Sequence, residues 1–135
     1  MLTKNSKLVP AVVLSCHTIG LGVIRGLGVM GVPIVAVSYE KKYDMGYLSK
    51  YVKERIYTPH PEKHEKEFIE ILKEYSVQNG RMFLVPADDP TLVIVSKNKH
   101  ELDKYYIIQC TDWDITQRIL ARNSKRIQEM VNINC

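Results

Sequence analysis

The sequence predicts an α/β domain with a parallel sheet of about five strands, and three patterns predict it. Short runs rich in branched apolar residues, Leu8–Ser15, Pro33–Tyr39 and Arg81–Pro86, lack polar alternation, as strands buried on both faces do. Helical stretches with an apolar side separate them. Stop residues, Gly31 and Asn79-Gly80, fall where those helices should end.

Leu8 to Ser15 (LVPAVVLS) is the first strand, and Cys16 to Gly22 a glycine-containing turn. A helix follows from about Leu21 to Met30, with Val23, Ile24, Leu27 and Met30 on its apolar side. Pro33 to Tyr39 is the second strand, which completes a βαβ unit with a right-handed crossover. Glu40 to Lys53 reads as a tyrosine-rich loop with one short helical turn. Arg55 to Thr58 is a brief third strand, ended by Pro59 and Pro61. Glu62 to Val77 is an amphipathic helix on which Phe68, Ile71, Leu72 and Tyr75 share a face. Arg81 to Pro86 is the fourth strand. Asp89 is suited to cap a helix with Pro90 at its first position, carrying Leu92, Val93 and Val95. Tyr105 to Cys110 is the fifth strand, and a final helical region opens at Thr111 or Asp112 and breaks near Arg122 and Asn123.

Such alternation implies a Rossmann-like three-layer αβα domain with strand order 3-2-1-4-5. The first and fourth strands are then neighbours, and the chain changes direction between them. Ligands in such sheets bind beyond the carboxyl ends of the strands at that switch. The loops Ser15–Gly22 and Pro86–Pro90 should therefore line one crevice.

Composition narrows the class. The chain has 135 residues, 45% of them hydrophobic and 25% charged, which suits one globular domain and argues against disorder. A net charge of +4 is too weak to point to nucleic acid by itself. The three cysteines, Cys16, Cys110 and Cys135, form no CxxC pair, and their odd number suits a reducing compartment. The apolar stretch near the start is broken by His17, Arg25 and glycines, so it reads as neither signal peptide nor membrane span. A cytoplasmic protein is expected.

Three features are candidates for ligand contact. Gly20, Gly22 and Gly26 form GxGxxxG, a loose variant of the dinucleotide fingerprint, and Glu40 stands where an acid could hold a ribose. The strict GxGxxG match, Gly26, Gly28 and Gly31, falls at the end of the helix, where no phosphate site forms; the glycines could equally serve tight helix–sheet packing. Asp88 and Asp89 could bind an amine or a metal-bound ligand, or act as a helix cap with a solvated neighbour. Arg25 could hold a carboxylate or phosphate bidentately, or pair with a structural acid.

Other patterns read as ordinary structure. Arg118, Arg122, Lys125 and Arg126 recur at helical spacing but lack interleaved aromatics, so a solvated face is expected rather than a nucleic-acid site. Cys16-His17 has no orienting acid. His60 and His64 lack a third ligand for zinc, and the tyrosines read as packing and loop anchors.

Taken together, a strand, then GLGVIRGLG with Arg25, then GVPIVAV resembles the amino-terminal (pre-ATP-grasp) domain of ATP-grasp ligases, closest to the carbamoyl-phosphate-synthase-like and carboxylate–amine ligase branch. LVPADD at Leu84–Asp89 resembles that branch's strand ending in Pro-x-x-Asp. RNSKRIQEMV resembles its helix that opens with Asp-Lys, although Asn123-Ser124 here replaces the aspartate. The resemblance implies an ATP-dependent ligase: a carboxylate is phosphorylated by ATP, and an amine or similar nucleophile attacks the acyl phosphate. It implies that Gly20, Gly22, Arg25 and Asp89 lie near the substrate crevice, where Asp88 is a further candidate for substrate binding from the residues themselves, and it implies a phosphate contact from Lys125.

The resemblance further implies a division into residues 1–121, the Rossmann-like domain, and 122–135, the start of a linker helix. ATP and Mg2+ are expected for a full-length ligase, through an ATP-grasp domain that this chain does not include; neither is expected to be required by this domain alone. The expected partners are a small carboxylate or amine substrate and that further domain, with neither nucleic acid nor membrane. A homodimer could form through the surface that domain would cover. No ligase activity is expected of the 135 residues by themselves, and no catalytic or metal-ligating residue is assigned. The alternative reading is a stand-alone Rossmann-like module for NAD(P) or another nucleotide.

Overall fold

A computed structural model describes residues 8–40 and 45–108 of the chain. Five strands form one sheet: β1 (Ala11–Leu14), β2 (Ile34–Ser38), β3 (Val52–Tyr57), β4 (Met82–Pro86) and β5 (Tyr106–Ile108). Every pairing is parallel and the order is β3-β2-β1-β4-β5, the order that the alternation of elements predicts. The helices are α1 (Thr18–Val29), α2 (Glu65–Asn79), α3 (Asp89–Lys97) and the single turn α4 (Lys99–Leu102); a 3-10 turn spans Met45–Leu48.

Burial explains the strand pattern. All residues of β1 and β2 are buried, because both strands are central and covered on both faces. Val12, Leu14, Val35, Val37 and Leu84 point to one face, where Phe68, Ile69 and Leu72 of α2 and Ile94 and Val95 of α3 meet them. Ala11, Val13, Ile34 and Ala36 point to the other, under Ile24 of α1. The edge strand β3 is mostly exposed, with Val52 its one fully buried residue. Along the described chain, no helix is long and apolar enough to cross a membrane.

Several boundaries differ from the sequence reading. The first strand is shorter than Leu8–Ser15, because Ser15 takes φ +76° and turns the chain out of the sheet. Helix α1 starts at Thr18, so Gly20 and Gly22 lie in its first turns rather than in a loop. Met30 is exposed at its carboxyl end instead of facing the core, and Gly31 at φ +86° completes the stop. Strand β3 starts at Val52, with a register shift opposite Ile34 and Val35, so the preceding loop is shorter than expected. Helix α2 begins at Glu65, after a turn at 61–64, and it buries Phe68, Ile69, Leu72 and Ser76; Ile71 and Tyr75 are only half-buried. In α3 the buried apolar pair is Ile94 and Val95, while Leu92 and Val93 are half-buried. The cap of α3 is Asp88, not Asp89. The expected helical region after β5, the division at residue 121, Cys110 and Cys135 all lie outside the described residues.

Candidate functional site at the mouth of the sheet

The carboxyl ends of β1, β2 and β4 converge at one point. Strand β1 ends at Leu14, and only Cys16 and His17 separate the left-handed Ser15 from α1. Two backbone bonds hold this turn in the sheet: Ser15 N donates to Val37 O at 2.9 Å, and Ala87 N donates to Leu14 O at 3.0 Å. The turn is tight enough to exclude a side chain at position 20. A Cβ built on Gly20 would lie 2.1 Å from Ser15 O and 3.6 Å from Ala87 Cβ. Gly20 thus stands beside the β4–α3 connection, where the switch-point argument puts it.

Asp88 caps α3. Its Oδ1 accepts from Thr91 N at 3.0 Å and from the Thr91 hydroxyl at 2.6 Å, and Asp88 N donates back to Thr91 Oγ1 at 3.3 Å. Its Oδ2 accepts from the hydroxyl of Tyr39, which arrives from the end of β2 across the β1 mouth. Such a bond to an ionised acceptor is stronger than a neutral one. The Tyr39 ring is flanked by two imidazoles, His17 with ring centres 6.3 Å away and His60 at 4.8 Å, both edge-on. His17 Nε2 lies 3.8 Å from Glu40 Oε2, a part-exposed pair that contributes little to stability. Below the turn, the buried Ser15 Oγ has no hydrogen-bond partner among the described residues.

The candidate residues of the sequence divide accordingly. Gly20 and Asp88 are together at the mouth. Asp89 is exposed in the first turn of α3. Gly22 is exposed, and a Cβ there would meet nothing within 4 Å, so tight packing does not account for it. Gly28 is, after Gly20, a second glycine of α1 that packing requires, since a Cβ would lie 2.4 Å from Tyr51 Cγ. Arg25 is exposed and lines a separate recess with Leu21, Leu48 and Tyr51. Cys16 is buried with its Sγ 3.6 Å from Val37 O, and His17 reaches toward Glu40. Lys125 and the basic stripe lie outside the described residues.

The sequence reading placed Ser15 in the crevice loop, weighed His60 only as a zinc ligand and took Tyr39 as a packing anchor, so it singled out none of them as a site residue. The signal for Tyr39 was its place directly after a buried parallel strand, because the switch-point rule applies to the neighbouring strand ends as well. An apolar recess of about 480 Å3, lined by Leu27, Val32, Phe83, Val85 and Ile107 among others, has only apolar side chains and offers no polar side chain to fix a ligand.

ATP and Mg2+ can be tested against this donor set. Both oxygens of Asp88 are engaged by Thr91 and Tyr39, and the described residues bring together no group of three His, Cys, Asp or Glu side chains. Among the described residues, the mouth therefore presents no ready set of magnesium ligands. What it offers is a rigid rim of donors and acceptors: an anchored phenol, two imidazoles and the Glu40 carboxylate. No family model matches this chain, and no curated protein and no solved structure matches it.

Proposed function

We propose that this chain is the amino-terminal, substrate-side domain of an ATP-dependent carboxylate–amine ligase of the ATP-grasp kind. The observation that carries the reading is the Tyr39–Asp88 bond, which ties the ends of β2 and β4 across β1 where ligands of parallel sheets bind. His17 and Glu40 on the rim supply a base and an acid that can orient an amine and a carboxylate. ATP and Mg2+ would be held by an ATP-grasp domain of the parent protein, with Lys125 as the contact from this chain, and no chemical step is assigned to the residues described.

The second reading is a Rossmann-like NAD(P)- or nucleotide-binding module. Glu40 favours it, because an acid after the second strand is where such domains hold a ribose. The test is made on the product of the complete reading frame. ADP release that needs both a carboxylate and an amine, and that falls at least tenfold in Tyr39→Phe, supports the ligase. Saturable quenching of NAD(P)H fluorescence by the 135-residue chain, without ADP release by the gene product, replaces it with the second reading.

A further inference from the structure

Beside the switch point, the β3 end carries a recess of about 390 Å3 between the sheet edge and the start of α2. We infer that this recess binds an oxyanion, the carboxylate or phosphate group of a small ligand. Tyr39 separates it from the mouth, and Tyr57, Thr58, His60, Lys63 and His64 line it. No carboxylate side chain is among its lining residues as described.

The donors are set by bonds already made. His60 Nδ1 accepts from Glu62 N at 3.2 Å, so the neutral ring carries its proton on Nε2 and that nitrogen is a donor. The Tyr39 hydroxyl is given to Asp88, and that of Tyr57 to Tyr39 O at 3.3 Å, which leaves the two phenols as walls. Lys63 and His64 are exposed at the rim. Thr58 is the second, independent sign of a ligand. Its residue is 1% exposed, its N donates to Ser38 O at 2.9 Å, and its Oγ1 has no partner among the described residues. A buried hydroxyl left unpaired is costly, so a partner is expected there.

The surroundings include opposing charge. Glu67 Oε1 lies 3.9 Å from His64 Nδ1, and Glu65 and Glu67 occupy the first turn of α2. They weaken the field of the helix end, so the donors rather than the helix carry the site. The inference does not rest on the ligase reading, since an anion would bind here whatever chemistry the mouth supports.

The test is an amide and imidazole NMR titration of the full 135-residue chain with inorganic phosphate, and separately with acetate, at constant ionic strength against chloride. Saturable shifts at Thr58, His60 and His64 are expected with one or both anions. Phosphate alone assigns a phosphate group, acetate alone a carboxylate. Thr58→Val should weaken binding at least fivefold while melting no lower than the parent, because it removes an unpaired hydroxyl; Thr58→Ser should retain binding. Lys63→Gln, at an exposed position, gives a second reading with no risk to the fold and should weaken binding as well. Shifts no larger than those with chloride, or full binding in both Thr58→Val and Lys63→Gln, would overturn the proposal.

Discussion

The hydroxyl of Tyr39 donates to Asp88 Oδ2, so the residue that follows β2 and the residue that caps α3 are joined over the end of β1. One carboxylate serves two elements: Oδ1 closes the helix start, and Oδ2 fixes the mouth. Removing the hydroxyl leaves the ring and the cap intact, so Tyr39→Phe should cost about 1–2 kcal/mol. Asp88→Ala loses the cap as well and should cost about 2–3 kcal/mol. Urea denaturation of both single variants and the double variant checks this, with a coupling of about 1 kcal/mol expected between the sites. Independent effects would show that the bond is not formed in solution.

Gly20 and Gly22 should respond in opposite directions to the same substitution. A methyl at position 20 meets the Ser15 carbonyl at 2.1 Å, and a backbone atom cannot move aside cheaply. Gly20→Ala should therefore destabilise by about 3 kcal/mol, at the upper end of overpacking effects. Position 22 is exposed and open, so Gly22→Ala should gain about 1 kcal/mol of helix propensity. Thermal unfolding distinguishes the two. A matching loss at both positions would mean that Gly22 has a contact of its own.

Much of the architecture was legible because the buried strands announce themselves. AVVL and IVAVS carry no polar alternation, and Pro33, Gly31 and Gly80 punctuate the chain where elements change. The strand order then followed from alternation alone, and with it the adjacency of Gly20 and the β4–α3 connection. Boundaries were less legible. A glycine-rich stretch reads as a loop by propensity, yet Gly20 and Gly22 are helical, because packing over Ala11, Val13 and Ala36 outweighs their backbone entropy. The choice between Asp88 and Asp89 as cap depends on where Thr91 stands three residues on, a local signal that the adjacent Pro90 obscures. The Tyr39 bond was not legible at all, since it joins residues 49 apart in sequence through side chains alone.

Ser15 stores strain at the same mouth. Its φ of +76° is unfavourable for a side chain, and its buried Oγ has no partner among the described residues. Ser15→Gly relieves both, and the gain should exceed the added freedom of the unfolded chain, for a net stabilisation of about 1 kcal/mol. Ser15→Ala removes only the hydroxyl and should gain less. Denaturant midpoints at unchanged slope check the order. If Ser15→Gly is the less stable of the two, the left-handed turn is not what holds β1 against α1.

Tyr106 sets the alkaline limit of the fold. Its side chain is fully buried in β5, and its hydroxyl donates to Leu72 O of α2 at 2.6 Å. Burial, first, and the neighbouring Tyr75 phenol push its ionisation well above the ordinary tyrosine range. Tyr75 is raised too, by burial and then by its bond to Glu54 Oε2 at 2.5 Å. The folded state therefore keeps protons that the unfolded chain releases above about pH 10. The stability due to the buried Tyr106 phenol is complete below that pH and is lost as pH rises toward the folded-state value, by about 1.4 kcal/mol per pH unit, while the partly exposed Tyr75 contributes less because solvent screens it. Tyr106→Phe should cost about 1 kcal/mol at neutral pH through the lost bond. It should also make the decline between about pH 10.5 and 12 shallower by that one-proton slope. Urea unfolding at a series of pH values measures both, and an unchanged alkaline slope would show that Tyr106 is ionised within the fold.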